Sequence, residues 1–225
     1  MKEKAIILLS GGLDSTTCLA IASNLNLDCY ALSFDYGQKQ KAELEMAKLN
    51  AEKFHAKRHF IVNIQSLGEL GGSALTDKNI DVPEYKDNGE IPITYVPARN
   101  TIFLSYALAY AEVVQARYIY IGASVVDYSG YPDCRPEFFE AYQNLINTSS
   151  KYVLDGHKLD ITMPLLQLSK AKTIELGLKL GVDYSSTISC YQADANGKAC
   201  GFCDSCTLRK QGFKDSGISD PTKYK

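Results

Sequence analysis

The run AIILL at Ala5–Leu9 leads directly into SGGLDS at Ser10–Ser15, and a segment with helical periodicity follows. A buried strand, a glycine turn and a helix in this order collect backbone amides and the positive end of the helix at one point, where they bind an anion. The glycines let the chain approach a phosphate without an intervening Cβ, and the serine hydroxyls add donors. The stretch therefore predicts a phosphate-binding loop in an α/β fold.

The hexamer differs from a Walker A loop, because it lacks the GK[ST] ending and has no lysine placed to reach a γ-phosphate. The Asp14 carboxylate would repel bound phosphates unless a cation intervened, so we expect it to hold Mg²⁺ bridging the pyrophosphate oxygens. The motif resembles the SGGxDS signature of PP-loop enzymes, which split ATP into AMP and pyrophosphate. An ordinary glycine turn at the start of a helix is the structural alternative.

Short apolar runs alternate with helical segments along most of the chain. Strands are predicted at Ala5–Leu9, Asp28–Phe34, Arg58–Ile64, Tyr118–Gly122 and Asp160–Thr162, and helices at Ser15–Leu25, Gln38–Phe54, Asn100–Gln115 and from Pro136 and Ser169. This order predicts an α/β fold with a mostly parallel sheet and helices on both faces. The stretch from Gln65 to Pro97 has no sustained period and predicts a lid or substrate loop.

The length of 225 residues allows one α/β domain and a small appendage. We predict an ATP-binding domain over residues 1–184 and a zinc-binding module over residues 185–225. The formal net charge of -2 provides no basic field for nucleic acid and favours a small-molecule substrate. The first apolar run is too short for a signal peptide, and no stretch approaches the ~20 apolar residues of a membrane span. We therefore expect a cytoplasmic protein that binds neither nucleic acid nor membrane.

Four of the seven cysteines, Cys190, Cys200, Cys203 and Cys206, form a C-x9-C-x2-C-x2-C pattern. This clustering is a poor disulfide framework, and four thiolates suit tetrahedral zinc. An iron–sulfur cluster is the chemical alternative, because the same thiolates could bind it. We favour zinc, since adenylation needs no electron transfer. A closed shell of four sulfurs predicts a structural site.

Longer motifs extend the resemblance to one family. They are FDYGQ at Phe34–Gln38, VPARNTIFLSYALAYAE from Val96, DYSGYPDCRPEFF from Asp127, LSKAKTIELG from Leu168, and SCYQ with CGFCDSC. Together they are similar to the 7-cyano-7-deazaguanine synthases of queuosine biosynthesis, although Ala98 stands where we expect a glycine. The resemblance implies that 7-carboxy-7-deazaguanine, ammonia and ATP become the nitrile through adenylated intermediates and an amide, and it suggests a homodimer.

The candidate site combines a nucleotide set and a substrate set. We expect ATP to contact Leu8, Leu9, Ser10, Gly11, Gly12, Leu13, Asp14, Ser15, Thr16, Thr17, Cys18, Tyr36 and Gln38. Lys170 is the second catalytic candidate beside Asp14, because PP-loop relatives place a lysine here that could stabilise charge on the α-phosphate; a solvated lysine is the alternative. The substrate candidates, which offer a guanidinium, carboxylates and a ring for an anionic purine-like molecule, are Arg99, Asn100, Asp127, Tyr128, Asp133 and Arg135. For Arg99, a structural ion pair is the alternative.

Two other functions are consistent with parts of the sequence. A PP-loop tRNA thiolase also adenylates an oxygen but then delivers sulfur from reactive cysteines. A zinc-knuckle binding module without catalytic activity is the second. Cys134 is excluded as a nucleophile, because an adenylate needs no covalent catalysis by sulfur. The three histidines share no ligand spacing, and we expect them at the surface.

Overall fold

Five parallel strands form the central sheet of the protein, whose computed structural model describes residues 2–84, 90–124, 130–194 and 196–225. The strands are β1 (Lys4–Leu8), β2 (Asp28–Asp35), β3 (Arg58–Asn63), β4 (Tyr118–Tyr120) and β5 (Asp160–Thr162). Their order in the sheet is β3-β2-β1-β4-β5, and every neighbouring pair is parallel. The strand order therefore reverses between β1 and β4. At such a topological switch point, open α/β sheets form a ligand crevice.

Helices connect and cover the strands. They are α1 (Leu13–Asn24), α2 (Ala42–Lys53), α3 (Ser66–Glu69), α4 (Arg99–Val114), α5 (Pro136–Ser149), α6 (Lys151–Leu154), α7 (Lys170–Lys179) and α8 (Asp204–Asp215), with 3₁₀ turns at Pro132–Cys134 and Tyr184–Ser186. The predicted start of α2 at Gln38 is four residues early, because the Gln38 side chain bonds to the turn that precedes the helix. No sequence pattern had predicted α8. Within the described residues no helix has the length and apolar character needed to cross a bilayer.

Alternate residues of β1 point to opposite faces of the sheet, as the period of a strand requires. Ile6 and Leu8 belong to the larger core cluster, which includes Leu104 of α4. Ala5 and Ile7 pack into a second cluster with residues of α1 and α2. The predicted arrangement of a parallel sheet between two layers of helices is confirmed.

The C-terminal residues share a core with the start of the chain. Phe213 of α8 packs in a third cluster with Ile174 of α7, with Tyr184, and with Leu13 and Ala20 of α1. The predicted boundary near residue 185 stays a prediction.

Several residues of the predicted lid between Gln65 and Pro97, which is described at residues 65–84 and 90–97, pack against the core. Ala74, Leu75 and Val82 are buried in the larger cluster. These residues anchor the segment to the folded domain, and its role as a lid stays a prediction.

Candidate nucleotide and substrate cleft

A cleft of about 320 Å³ lies at the carboxyl ends of β1, β2 and β4. The predicted site residues that line it are Leu8, Leu9, Ser10, Gly12, Leu13, Asp14, Ser15, Tyr36, Gln38, Arg99, Asn100 and Lys170. The other described candidates are absent from the lining: they are Gly11, Thr16, Thr17, Cys18, Asp133 and Arg135. The structure thus brings together most of the predicted nucleotide residues and two of the six substrate candidates. Asp127 and Tyr128 lie outside the described residues.

The glycine loop is held against helix α2. Gly11 has a φ of +88°, and a Cβ at this position would lie 2.0 Å from the backbone oxygen of Glu43. Only glycine fits there, for both conformational and steric reasons. Within the loop, the Gly12 N–H donates to Ser10 Oγ at 3.3 Å, and the hydroxyls of Ser10 and Ser15 are 3.0 Å apart. The sequence therefore builds a tight turn that places hydroxyls and amides at the start of α1.

Thr17 and Cys18, which follow the loop in α1, make contacts within the folded protein. Thr17 Oγ1 donates to the Leu13 carbonyl at 2.8 Å and lies 2.8 Å from the Tyr184 hydroxyl. Cys18 is fully buried. These side chains support α1, so the predicted contacts of this part of the helix with ATP stay predictions.

Asp14 and Lys170 form an ion pair at the cleft. Lys170 Nζ lies 2.9 Å from both carboxylate oxygens of Asp14, and the lysine side chain is only 13% exposed. Its helix α7 begins where Ser169 Oγ accepts from the Lys172 N–H. Lys170 is therefore a largely buried lysine that is paired with Asp14 at the glycine loop, and it is not a solvated surface lysine.

Arg99 lies among aromatic rings at the start of α4. Its guanidinium carbon is 5.7 Å from the ring centre of Tyr36 and 5.9 Å from that of Tyr131, and Nη1 donates to the Tyr36 hydroxyl at 3.4 Å. No carboxylate of the described residues forms a salt bridge with it. The tyrosines orient this cation while its charge stays available to an anion in the cleft.

Asn100 and Asp133 hold the neighbouring turn in place. The Asn100 N–H donates to Asp133 Oδ2 at 3.0 Å, and Asn100 Nδ2 donates to the Asp133 carbonyl at 2.9 Å. Burial, opposed by the Asn100 N–H and the Arg99 charge, raises the pKa of the Asp133 carboxyl. Burial, together with the Asp133 charge, raises the pKa of the Cys134 thiol to about 11, so this cleft residue is no thiolate. Arg135, which follows, is exposed.

Glu43 lines the cleft, although no sequence pattern had indicated it. Gln38 fixes the turn after β2 through Oε1, which accepts the Tyr36 N–H at 2.8 Å, and through Nε2, which donates to the Phe34 carbonyl and to Glu43 Oε1. Burial raises the pKa of the Glu43 carboxyl to about 7, even though the Arg99 charge and the Gln38 hydrogen bond lower it. In the sequence, Glu43 resembles any charged residue of an amphipathic helix.

The segment before the cysteine cluster also forms part of the site. Ser189 Oγ accepts the Leu13 N–H at 3.2 Å, and the Ile188 N–H donates to the Gly11 carbonyl at 3.1 Å. The adjacent residues that line the cleft are Cys190, Tyr191, Ser205, Leu208 and Arg209. The C-terminal segment therefore supplies one wall of the cleft and a direct support for the glycine loop.

The four cysteines meet at one point. The sulfurs of Cys190, Cys200, Cys203 and Cys206 all lie within 4.8 Å of one another. The N–H groups of Cys200 and Gln192 donate to Cys190 Sγ at 3.1 and 3.2 Å. Four thiols in this arrangement could bind a metal ion, as the spacing predicts.

His59 is more buried than the sequence led us to expect. His59 Nε2 lies 2.7 Å from the Ser33 hydroxyl, and the residue is half-buried. Burial lowers the pKa of His59, although Glu52 opposes this effect. The expected surface position was wrong for this residue, because β2 carries a polar side chain within reach of β3.

The parallel sheet and the loop after β1 place the chain in the fold class of PP-loop proteins. An NMN synthetase from Francisella tularensis has a TM-score of 0.53 at 19% identity, covering 97% of this chain and 79% of that structure. A 4-thiouridine synthetase in complex with RNA and ATP has a TM-score of 0.54 at 18% identity, covering 96% of this chain and 50% of that one. At these identities the similarity shows the fold alone.

The family is narrower than the fold. The family described as "Queuosine biosynthesis protein QueC" matches residues 4–217. The chain is 61% identical to a 7-cyano-7-deazaguanine synthase of Coxiella burnetii (strain RSA 331 / Henzerling II), over 99% of this chain and 98% of that protein. It is 59% identical to one of Legionella pneumophila (strain Corby), over 99% and 97%. The chain belongs to the QueC family of queuosine biosynthesis proteins.

Proposed function

We propose that this chain makes 7-cyano-7-deazaguanine from 7-carboxy-7-deazaguanine, ammonia and ATP, through adenylated intermediates and an amide. The observation that carries the proposal is that one cleft contains both the Asp14–Lys170 pair at the glycine loop and Arg99 between two tyrosines. The first group suits a nucleotide phosphate. The second suits the carboxylate and the flat ring of the other substrate.

The chemistry requires activation of an oxygen twice. A carboxylate resists ammonia, because oxide is a very poor leaving group. Attack of a carboxylate oxygen on the ATP α-phosphate releases pyrophosphate and gives an acyl adenylate, from which ammonia displaces AMP. The amide oxygen then attacks a second ATP in the same way and releases pyrophosphate, and loss of AMP and of both protons of the amide nitrogen leaves the nitrile.

The residues of the cleft have separate roles in this scheme. The loop amides and hydroxyls bind the departing pyrophosphate. The Lys170 ammonium stabilises the negative charge that grows on the α-phosphate in the transition state. Arg99 binds the substrate carboxylate and directs one oxygen towards that phosphorus.

Two metal ions belong to the proposal. Asp14 would hold Mg²⁺, since a hard carboxylate lies at the loop, and the ion when bound would neutralise pyrophosphate charge. The four cysteines would hold zinc. Sulfurs at about 2.3 Å from a single tetrahedral ion are about 3.8 Å apart, which agrees with the 3.9 Å between the sulfurs of Cys200 and Cys206. An iron–sulfur cluster contains several irons and would hold the sulfurs further apart.

The same proposal describes a cytoplasmic homodimer that acts on free small molecules and binds no nucleic acid. Exposed aromatic side chains at Phe60 of β3 and Tyr106 of α4 offer an apolar surface for a second copy. Sedimentation velocity of the purified protein tests the oligomeric state.

Pyrophosphate release from ATP tests the reaction. We expect release that depends on 7-carboxy-7-deazaguanine, with amide and nitrile detected by mass spectrometry when ammonium is added. Release that depends on tRNA instead would favour a thiolase. No release with either substrate would favour a binding module.

A further inference from the structure

The proposed reaction needs a group that the residues described so far do not supply. At neutral pH, ammonia in water is mostly ammonium, which has no lone pair and cannot attack a carbon atom. A base in the cleft must remove a proton before the nitrogen can displace AMP. Lys170 and Arg99 are cations and cannot serve.

Few side chains of the cleft can accept that proton. Among the described residues that line it, Asp14 and Glu43 are the carboxylates. Asp14 has both oxygens on Lys170 and lies at the phosphate loop. Burial keeps Cys134 protonated, and burial also raises the pKa of the Tyr36 hydroxyl to about 12. Of the two carboxylates, Glu43 is therefore the remaining acceptor.

The position of Glu43 is suited to this task. Its backbone touches Gly11, so it lies directly beside the loop that would hold the phosphates. The Gln38 amide donates to its Oε1 at 3.2 Å and orients the carboxyl group. Its charged and titratable neighbours are Arg99 of α4 and Tyr36 of the turn after β2. Glu43 therefore lies close to both the phosphate-binding loop and the cation assigned to the substrate carboxylate.

We propose that Glu43 binds ammonium and accepts one of its protons, so that neutral ammonia attacks the adenylated carboxyl carbon. The new C–N bond forms as the C–O bond to AMP breaks, and AMP leaves with that electron pair. The nitrogen then loses a proton to solvent and becomes the amide. Glu43 returns its proton to solvent before the next turnover. The inference rests on the proposed function.

The raised pKa of Glu43 fits this role. A carboxyl group with a pKa of about 7 is half ionised at pH 7, mostly ionised above that pH and mostly protonated below it. The rate with ammonium should therefore fall as the pH drops below about 7.

The test is the isosteric variant Glu43→Gln, which keeps an acceptor for Gln38, with Glu52→Gln at an exposed position of α2 as the control. Exchange of labelled pyrophosphate into ATP, measured with 7-carboxy-7-deazaguanine and without ammonium, reports folding and adenylation. We expect exchange within about twofold of wild type in both variants. We expect kcat/KM for ammonium to fall roughly 100-fold or more in Glu43→Gln alone.

Two further readouts separate proton transfer from a structural role. Hydroxylamine is a neutral nucleophile at pH 7, so Glu43→Gln should lose much less activity with it than with ammonium. The remaining ammonium activity of the variant should rise with pH in proportion to neutral ammonia, without the inflection near pH 7. The variant Glu43→Asp, which keeps a carboxylate, should recover part of the ammonium activity.

The outcomes are distinct. Wild-type kcat/KM for ammonium in Glu43→Gln, an equal loss with hydroxylamine, or a loss of pyrophosphate exchange would each overturn the role of Glu43. A wild-type enzyme without substrate-dependent exchange would overturn the proposed function, and this inference with it.

Discussion

Asp14 has one carboxylate for two interactions, the observed ion pair with Lys170 and the proposed binding of Mg²⁺. In the structure it pairs with Lys170 through both oxygens, and in the proposed reaction it also holds Mg²⁺. A carboxylate can do both because its two oxygens offer about four lone-pair sites. In the proposed reaction, Asp14 would therefore contact both the Mg²⁺ ion and Lys170.

The variant Asp14→Asn tests this role. It keeps the shape of the side chain but removes the charge, so we expect the fold to remain and both amide and nitrile formation to fall at least roughly 100-fold. Circular dichroism checks the fold, and product formation at saturating Mg²⁺ checks activity. Wild-type rates under these conditions would remove Asp14 from the proposed mechanism.

Ala98 has a conformation that is costly for its residue type. It precedes α4 with a φ of +55° and a ψ of 19°, the left-handed region that favours glycine. The family resemblance had already led us to expect a glycine there, and the structure gives the physical reason. The strained residue lies directly before Arg99, at the N-terminus of α4.

Replacement of Ala98 by glycine should stabilise the protein. Glycine removes the cost of a left-handed alanine, but it also increases the conformational entropy of the unfolded chain. The net increase in the free energy of unfolding should be roughly 0.5–1 kcal/mol. Urea unfolding measures the effect. The matched control is Ala109→Gly, at an exposed position inside α4, which should destabilise by about 1 kcal/mol. A loss of stability in Ala98→Gly would contradict the strain argument.

At the scale of elements, α8 packs against the base of Lys170, the lysine that we propose to be catalytic. A Cβ added to Gly212 would lie 2.4 Å from Lys170 Cγ and 2.7 Å from Lys170 Cβ. These atoms are close to the backbone of α7 and have little freedom to move. The packing of α8 on α7 therefore sets the path of the Lys170 side chain towards Asp14.

Gly212→Ala should displace Lys170. Alanine favours helix over glycine by about 1 kcal/mol, but the added methyl group must push the lysine stem away. We expect turnover to fall roughly 10–100-fold, because small displacements of a catalytic group are expensive. Steady-state kinetics and the thermal midpoint are measured together, with Lys214→Ala at an exposed position of α8 as the control. Unchanged turnover in Gly212→Ala would show that α8 does not position the lysine.

The sequence predicted the elements whose signal is local. β1, the glycine loop and α1 follow one another without interruption, and apolar runs mark the other strands. The helix α8 was missed because its sequence, DSCTLRKQGFKD, is mostly polar and its buried residues include Arg209. Arg209 is buried because its guanidinium binds Thr187 Oγ1, the Tyr184 carbonyl and Asp220. Contacts of that kind depend on the tertiary fold, which no periodicity records.

The same limit applies to the site: residues in local sequence motifs could be predicted, and residues defined by tertiary contacts could not. Ser10–Ser15, Arg99 and Lys170 belong to motifs that lie at helix starts or after strands, so their meeting in one cleft follows from a parallel sheet. Glu43 and Ser189 contact residues that are far away in the chain. The Arg99 charge acts on Glu43, and Ser189 accepts a hydrogen bond from the Leu13 N–H. Their roles became visible only when the elements were packed together.

At the scale of the whole molecule, the cysteine cluster is continuous with the core of the protein. Cys203 is fully buried and lies at the start of α8, whose Phe213 packs against Tyr184, Ile174 and two residues of α1. A change at the cluster should therefore reach the glycine loop through α8 and through Ser189. Loss of the metal should affect the whole chain and not a detached appendage.

Replacement of Cys203 by serine tests this continuity. A site with three thiolates binds zinc less tightly, and binding there is coupled to folding, so we expect zinc to fall from about one per chain and the thermal midpoint to drop in a single transition. The cluster supplies no reacting group in the proposed reaction. Activity should therefore fall because the wall of the cleft is displaced. Elemental analysis and calorimetry measure both effects. Cys29→Ala, which removes a buried thiol from β2, should retain zinc. A separate low-temperature transition, with the main midpoint unchanged, would instead show that residues 185–225 unfold as an independent module.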